Sequence, residues 1–100
     1  MIFLIENISM KDFLNLNENI NIIDIRSIEK YNNNHIPNAI NIPFEKILTN
    51  PEEFLDKQKT YYIYCQRGIT SYKVCQILKK QNYKVINING GYESWILKQN

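Results

Sequence analysis

The chain holds two cysteines, Cys65 and Cys75, and their neighbours differ in kind. Cys65 opens the segment Gln66-Arg67-Gly68-Ile69-Thr70-Ser71, which supplies a cation, a glycine and two hydroxyls between a strand pattern and a helix pattern. A thiol reacts as the thiolate, so the chemistry available here is nucleophilic attack by sulfur. A short loop with glycine at its middle can curl until successive N–H groups aim at one centre, backed by the dipole of the following helix. Bringing a free thiol from ~8.5 to below neutral takes roughly 1.4 kcal/mol per pKa unit. A helix end gives about 0.3 to 2 kcal/mol and a charge-assisted hydrogen bond about 1.5 to 3, so no general base is needed. Arg67 can hold an oxyanion beside the nucleophile through its planar donors, the competing reading being a solvent-facing charge.

His35 is the single histidine, in a turn just before Ile36-Pro37, and is read as a structural group and not as a base. Most free cysteines are small buried apolar residues, and Cys75, beside Val74 and near Ile77 and Leu78, is expected to be one, with a resolving thiol as the weaker alternative. The loop position of Cys65, with Arg67 and Gly68 beside it, argues against that role there.

Bulk properties remove several classes. One hundred residues fit a single domain over 1–100, and 44% hydrophobic with 22% charged residues is globular composition, not disorder. A net charge of +2 is too small for nucleic-acid binding, and Lys79-Lys80 reads as a solvated helix face. Met1-Ile2-Phe3-Leu4-Ile5 lacks a basic leader and a cleavage site, and no apolar run reaches the roughly 18 residues of a membrane span, so a cytoplasmic address is expected. Two cysteines make neither a disulfide framework nor a zinc pair, so no metal is expected.

The elements that must position Cys65 follow from periodicity and punctuation. Ile2–Ile5 reads as a strand, and Ser9 as the cap of a helix bearing Phe13, Leu14 and Leu16. Ile20–Ile25 reads as a buried strand delivering Asp24 and Arg26 at its end, and Ser27 as the cap of a short helix through Tyr31. Residues 32–38 form a loop, Ala39–Ile42 a strand stopped by Pro43, Phe44–Leu48 one helical turn, and Pro51 opens a helix to about Lys57. Tyr61–Tyr64 is a strand, and Thr70 or Ser71 opens a helix whose apolar face is Val74, Ile77 and Leu78. Asn82 ends that helix, Lys84–Ile88 is the last strand, Gly90-Gly91 a turn, and Tyr92–Leu97 a terminal helix. Strand–helix alternation predicts an α/β fold, a parallel sheet with helices on both faces, with Cys65 at the carboxyl end of a strand where ligands gather. Trp95 and Gly90-Gly91 are read as structural.

Ile22-Ile23-Asp24-Ile25-Arg26, Glu29, Tyr31, His35-Ile36-Pro37-Asn38-Ala39-Ile40-Asn41-Ile42-Pro43, the Cys65 loop and Gly90-Gly91-Tyr92-Glu93-Ser94-Trp95 together resemble the rhodanese homology domain. The resemblance spans nearly the whole chain. It implies a five-stranded parallel sheet flanked by helices, a persulfide on Cys65, backbone amides from Gln66 through Ser71 cradling the sulfur, and no metal or organic cofactor. Two positions depart from the family pattern: Asn34 and Asn82 stand where glycine is usual, and asparagine is expected to take the left-handed backbone there. Phosphatase and arsenate-reductase relatives carry an arginine where this chain has Ser71, which disfavours phosphate chemistry. Gln66-Arg67 leans toward thiosulfate or another anionic sulfane donor; Lys30 stands where some relatives carry a second cation, the favoured reading being a solvated helix lysine.

The expected function is sulfur transfer from an anionic donor such as thiosulfate to a thiol, to cyanide or to a sulfur-accepting protein through a Cys65 persulfide. The alternatives are a redox-sensing or docking module of the same fold and, less favoured, a phosphatase or arsenate reductase.

Overall fold

The computed structural model describes residues 5–16 and 19–99. The strands are β1 (Glu6–Ile8), β2 (Asn21–Asp24), β3 (Ile40–Asn41), β4 (Thr60–Tyr64) and β5 (Lys84–Ile88). The helices are α1 (Met10–Leu14), α2 (Ile28–Asn33), α3 (Phe44–Thr49), α4 (Pro51–Phe54), α5 (Ile69–Lys80) and α6 (Gly91–Gln99). All strand pairings are parallel, in the order β1-β5-β4-β2-β3, which is the parallel α/β sheet the pattern predicts, with the five strands the resemblance implies.

Each strand sends alternate side chains to opposite faces. Ile23 of β2 and Ile25 just beyond it, Tyr61 and Ile63 of β4, and Val85 of β5 meet Ile47 of α3, Leu55 beyond α4, and Val74, Cys75 and Leu78 of α5 in one buried layer. Ile22, Tyr64 and Ile88 face the other way, toward Met10 and Phe13 of α1 and Trp95 of α6, with Tyr31 of α2 against them. Two layers of apolar burial therefore clamp the sheet, and Trp95 takes the structural role expected of it.

Caps also follow the sequence. Ser9 accepts from Asp12 N at 3.0 Å, and Ser27 from Lys30 N at 3.3 Å, each satisfying a helix-end donor. Asn82 takes the left-handed backbone, φ 72°, that ends α5.

Some boundaries differ from the expected ones. Of the apolar run Ile2–Ile5, residues 2–4 lie outside the described residues and Ile5 is not in a strand; β1 is the polar stretch just after it. An edge strand does not need an apolar run, and here Asn7 is registered against Asn87 of β5. Helix α2 continues to Asn33, and Asn34 is extended with φ −172°; the left-handed residue of that loop is Asn38, φ 71°. Helix α4 ends at Phe54 because Leu55 turns extended into the core while Tyr61 Oη takes the Asp56 N–H at 2.7 Å. Helix α5 begins at Ile69, ahead of the expected Thr70 or Ser71, because Gly68 already makes the turn with φ 90°.

Candidate functional site

Cys65 follows β4 directly, and the loop lifts off the sheet there because Gly68 adopts a backbone conformation that side chains resist. Helix α5 has no side-chain cap. Its free first-turn donors turn to sulfur instead: Gly68 N and Ser71 N each lie 3.2 Å from Cys65 Sγ. The sulfur thus stands where a capping oxygen would, at the positive end of the helix dipole, an arrangement that favours the anion. Cys65 is only 7% exposed, yet it lines a cavity of about 820 Å³, so the wrapped loop hides the sulfur without sealing it in the core.

The loop splits into two groups. Gln66, Arg67, Ile69 and Thr70 line the cavity with Cys65, whereas Gly68 and the buried Ser71 hold the sulfur from below. Among the described residues, the amides within hydrogen-bond distance of Sγ are those of Gly68 and Ser71. Arg67 is exposed and, among the described residues, pairs with no carboxylate, so its guanidinium remains available to an anion. Lys30 of α2 and Glu45 of α3 also face this cavity, and its mouth carries the exposed side chains of Ile28, Phe44 and Ile69.

A buried clamp fixes the loop from behind. Arg26 pairs with Asp24 through Nη2 to Oδ2 at 2.8 Å and Nε to Oδ1 at 3.1 Å. It also donates to Asn34 O at 2.7 Å and to Gln66 Oε1 at 3.3 Å, and lies 4.0 Å from the centre of the Tyr92 ring. Burial opposes the Arg26 charge, but the hydrogen bonds and negative charge of Asp24 overcome it and leave the guanidinium more basic than usual. Tyr64 completes the clamp, donating to Asp24 Oδ2 at 2.6 Å and accepting from Ile36 N at 3.1 Å. Burial first, then the Asp24 hydrogen bond, raises the Tyr64 phenol well above its ordinary range. The sequence placed Arg26 at a strand end without assigning it this role; a rare arginine two residues after an aspartate that ends an apolar run was the signal.

Helix α6 holds the loop from the side. Tyr92 N donates to Cys65 O at 2.9 Å and Glu93 N to Gln66 O at 3.0 Å, so the N–H groups that begin α6 receive the carbonyls that begin the loop. This contact explains Gly91: with φ 57°, a Cβ there would stand 2.3 Å from Cys65 O.

His35 stacks on Tyr31 with ring centres 3.8 Å apart, and its Nδ1 lies 2.9 Å from Tyr31 O; it does not line the cavity, in keeping with a structural role. Cys75 is fully buried, and burial, followed by the charge of Cys65, pushes its thiol up to about 12.

A parallel α/β sheet with a cysteine at a strand end, its sulfur at the start of the next helix beside a cavity that carries Arg26, Lys30 and Arg67, defines a cysteine-loop protein. The chain belongs to the rhodanese-like domain family, whose model matches residues 9–98. It is 37% identical over 75 residues to a thiosulfate sulfurtransferase, GlpE, of Coxiella burnetii, covering 74% of this chain and 69% of that protein. It is 32% identical over 92 residues to a sulfurtransferase of Allochromatium vinosum, covering 91% and 85%. Among solved structures, a rhodanese-like domain protein from Staphylococcus aureus superimposes with a TM-score of 0.79 at 31% identity, covering 91% of each chain. Among the described residues, no helix is long and apolar enough to cross a membrane.

Proposed function

We propose that this protein is a sulfurtransferase that carries sulfane sulfur as a persulfide on Cys65, taking it from a small anionic donor such as thiosulfate. The observation that carries this reading is the convergence of two amides and a helix N-terminus on a sulfur that a cation-bearing cavity reaches. The Cys65 thiolate attacks the sulfane sulfur of thiosulfate; an S–S bond forms to Sγ, the donor S–S bond breaks, and its electron pair leaves on sulfite. Arg67 and the loop amides ease departure of that anion. A thiol, cyanide or a sulfur-accepting protein then attacks the outer sulfur, and the thiolate returns, giving ping-pong kinetics. Gln66, Ile69 and Thr70 line the donor's path, with Lys30 as the second cation and Glu45 as a counterweight against a larger anionic charge.

Incubation with thiosulfate followed by intact mass measurement tests this directly. One added sulfur on the wild type, absent from Cys65→Ser and retained by Cys75→Ser, is the expected result, and an unmodified wild-type mass rejects the reading. Arg67→Ala is expected to raise the KM for thiosulfate about tenfold while leaving the cyanide half-reaction unchanged.

A further inference from the structure

Ser71 has one hydroxyl proton and two neighbours that can claim it. Its Oγ lies 2.6 Å from Asn87 Oδ1 and 3.3 Å from Cys65 Sγ. Ser71 and Asn87 are 0% and 1% exposed, so an unmade hydrogen bond on either is expensive. The Asn87 amide is oriented from its far side, where Nδ2 donates to Asn7 Oδ1 at 3.0 Å, and Asn7 Nδ2 in turn reaches Ile5 O at 3.4 Å. Every donor in this row points the same way, toward β1. The Ser71 proton therefore goes to Asn87, and the Ser71 oxygen turns a lone pair toward Sγ, where the Cys65 thiol proton can meet it.

We propose that Asn87 is a positioning residue for the nucleophile: by drawing the Ser71 proton away from sulfur, it sets how readily Cys65 gives up its own. When Cys65 ionises, the Ser71 hydroxyl turns to donate to Sγ and Asn87 Oδ1 loses its donor. Asn87 thus weighs against the thiolate that the two amides and the α5 N-terminus favour. The other charged or titratable groups around the Cys65 loop are Arg26, Arg67, Lys30 and Glu45 at the cavity, Asp24 and Tyr64 behind it, Tyr92 and Glu93 of α6 beside it and Cys75 beneath, and all of them are kept in the Asn87 variants.

The inference rests on Cys65 being the nucleophile but not on the identity of the donor. The test is the pH profile of Cys65 alkylation by iodoacetamide, read by peptide mass, which needs no sulfur transfer; a protein that takes up no sulfur from thiosulfate still gives a profile. Asn87→Leu is expected to move the midpoint down by about one pH unit, which gives about tenfold more thiolate and, since a less basic thiolate is less nucleophilic, about a threefold gain in rate below the midpoint. In a Ser71→Ala background, Asn87→Leu is expected to leave the midpoint where Ser71→Ala alone puts it, because Ser71 carries the effect. Asn7→Ala, at an exposed edge position, lets the Asn87 amide turn over and is expected to shift the midpoint in the same direction by less, which covers the case of Asn87→Leu failing to fold. An unmoved or raised midpoint in the folded variants, or a shift that survives Ser71→Ala, overturns the proposal.

Discussion

Cys65 and Cys75 share one buried apolar layer, one thiol 7% exposed and the other fully buried, and hydrogen bonding separates them far more than burial does. Around Cys65 the backbone breaks from regular structure, so two N–H groups are free to serve sulfur and a cavity reaches it. Around Cys75 the backbone is helical, its donors are spent within α5, and the thiol meets the surrounding hydrocarbon of Val74 and Leu78. Reactivity here is a property of what the neighbouring amides have left to give, and exposure alone ranks the two poorly.

The most damaging way to break that contrast is Gly91→Ala. The new Cβ would meet the Cys65 carbonyl at 2.3 Å, backbone that cannot step aside, so the loop and α6 must part. A loss of about 3 kcal/mol and a sulfur loading rate reduced more than about 100-fold are expected, read by denaturant melts and by mass after thiosulfate. A variant that loads normally would show that α6 docking does not hold the loop.

Alkylation of the native protein sharpens the contrast without mutation. At pH 7.5 iodoacetamide is expected to label Cys65 at least about 100-fold faster than Cys75, whose thiol is held neutral and out of reach until the chain unfolds. Equal rates from peptide mapping would erase the distinction.

The smallest effect is on stability at high pH. A thiol whose ionisation is pushed from 9.0 up to about 12 by folding favours the fold fully below pH 9, and that contribution drains away as the pH climbs toward 12. Tyr64, raised by burial and Asp24, acts in the same direction above its ordinary value of 10.0. Urea melts at pH 7, 9 and 10.5 should therefore show stability falling at the alkaline end, with Cys75→Val falling less steeply. A parallel decline in both proteins would remove Cys75 from the account.

Much of this organisation could be read in the chain because it is written locally. The apolar strands ending at Asp24, Tyr64 and Ile88, the caps Ser9 and Ser27, and the glycine three residues after Cys65 all act within a few neighbours. Asn87 escaped notice although an amide amid Val85, Ile86 and Ile88 is an anomaly, because its partners lie on α5 and on the edge strand β1. Asn34 was misjudged for a related reason: its carbonyl is fixed by Arg26, and that pull selects an extended backbone over the left-handed one.

Hydrophobic period and turn chemistry were enough to define an α/β chain with a nucleophile between a strand and a helix, since both depend on residues close along the backbone. The orientation of the Ser71 hydroxyl, the grip of α6 on the loop and the clamp of Arg26 arise where distant segments meet. Hydrogen bonds reach about 3 Å and are set by packing, so their partners exist only once the sheet has brought β1, β2, β4 and β5 side by side.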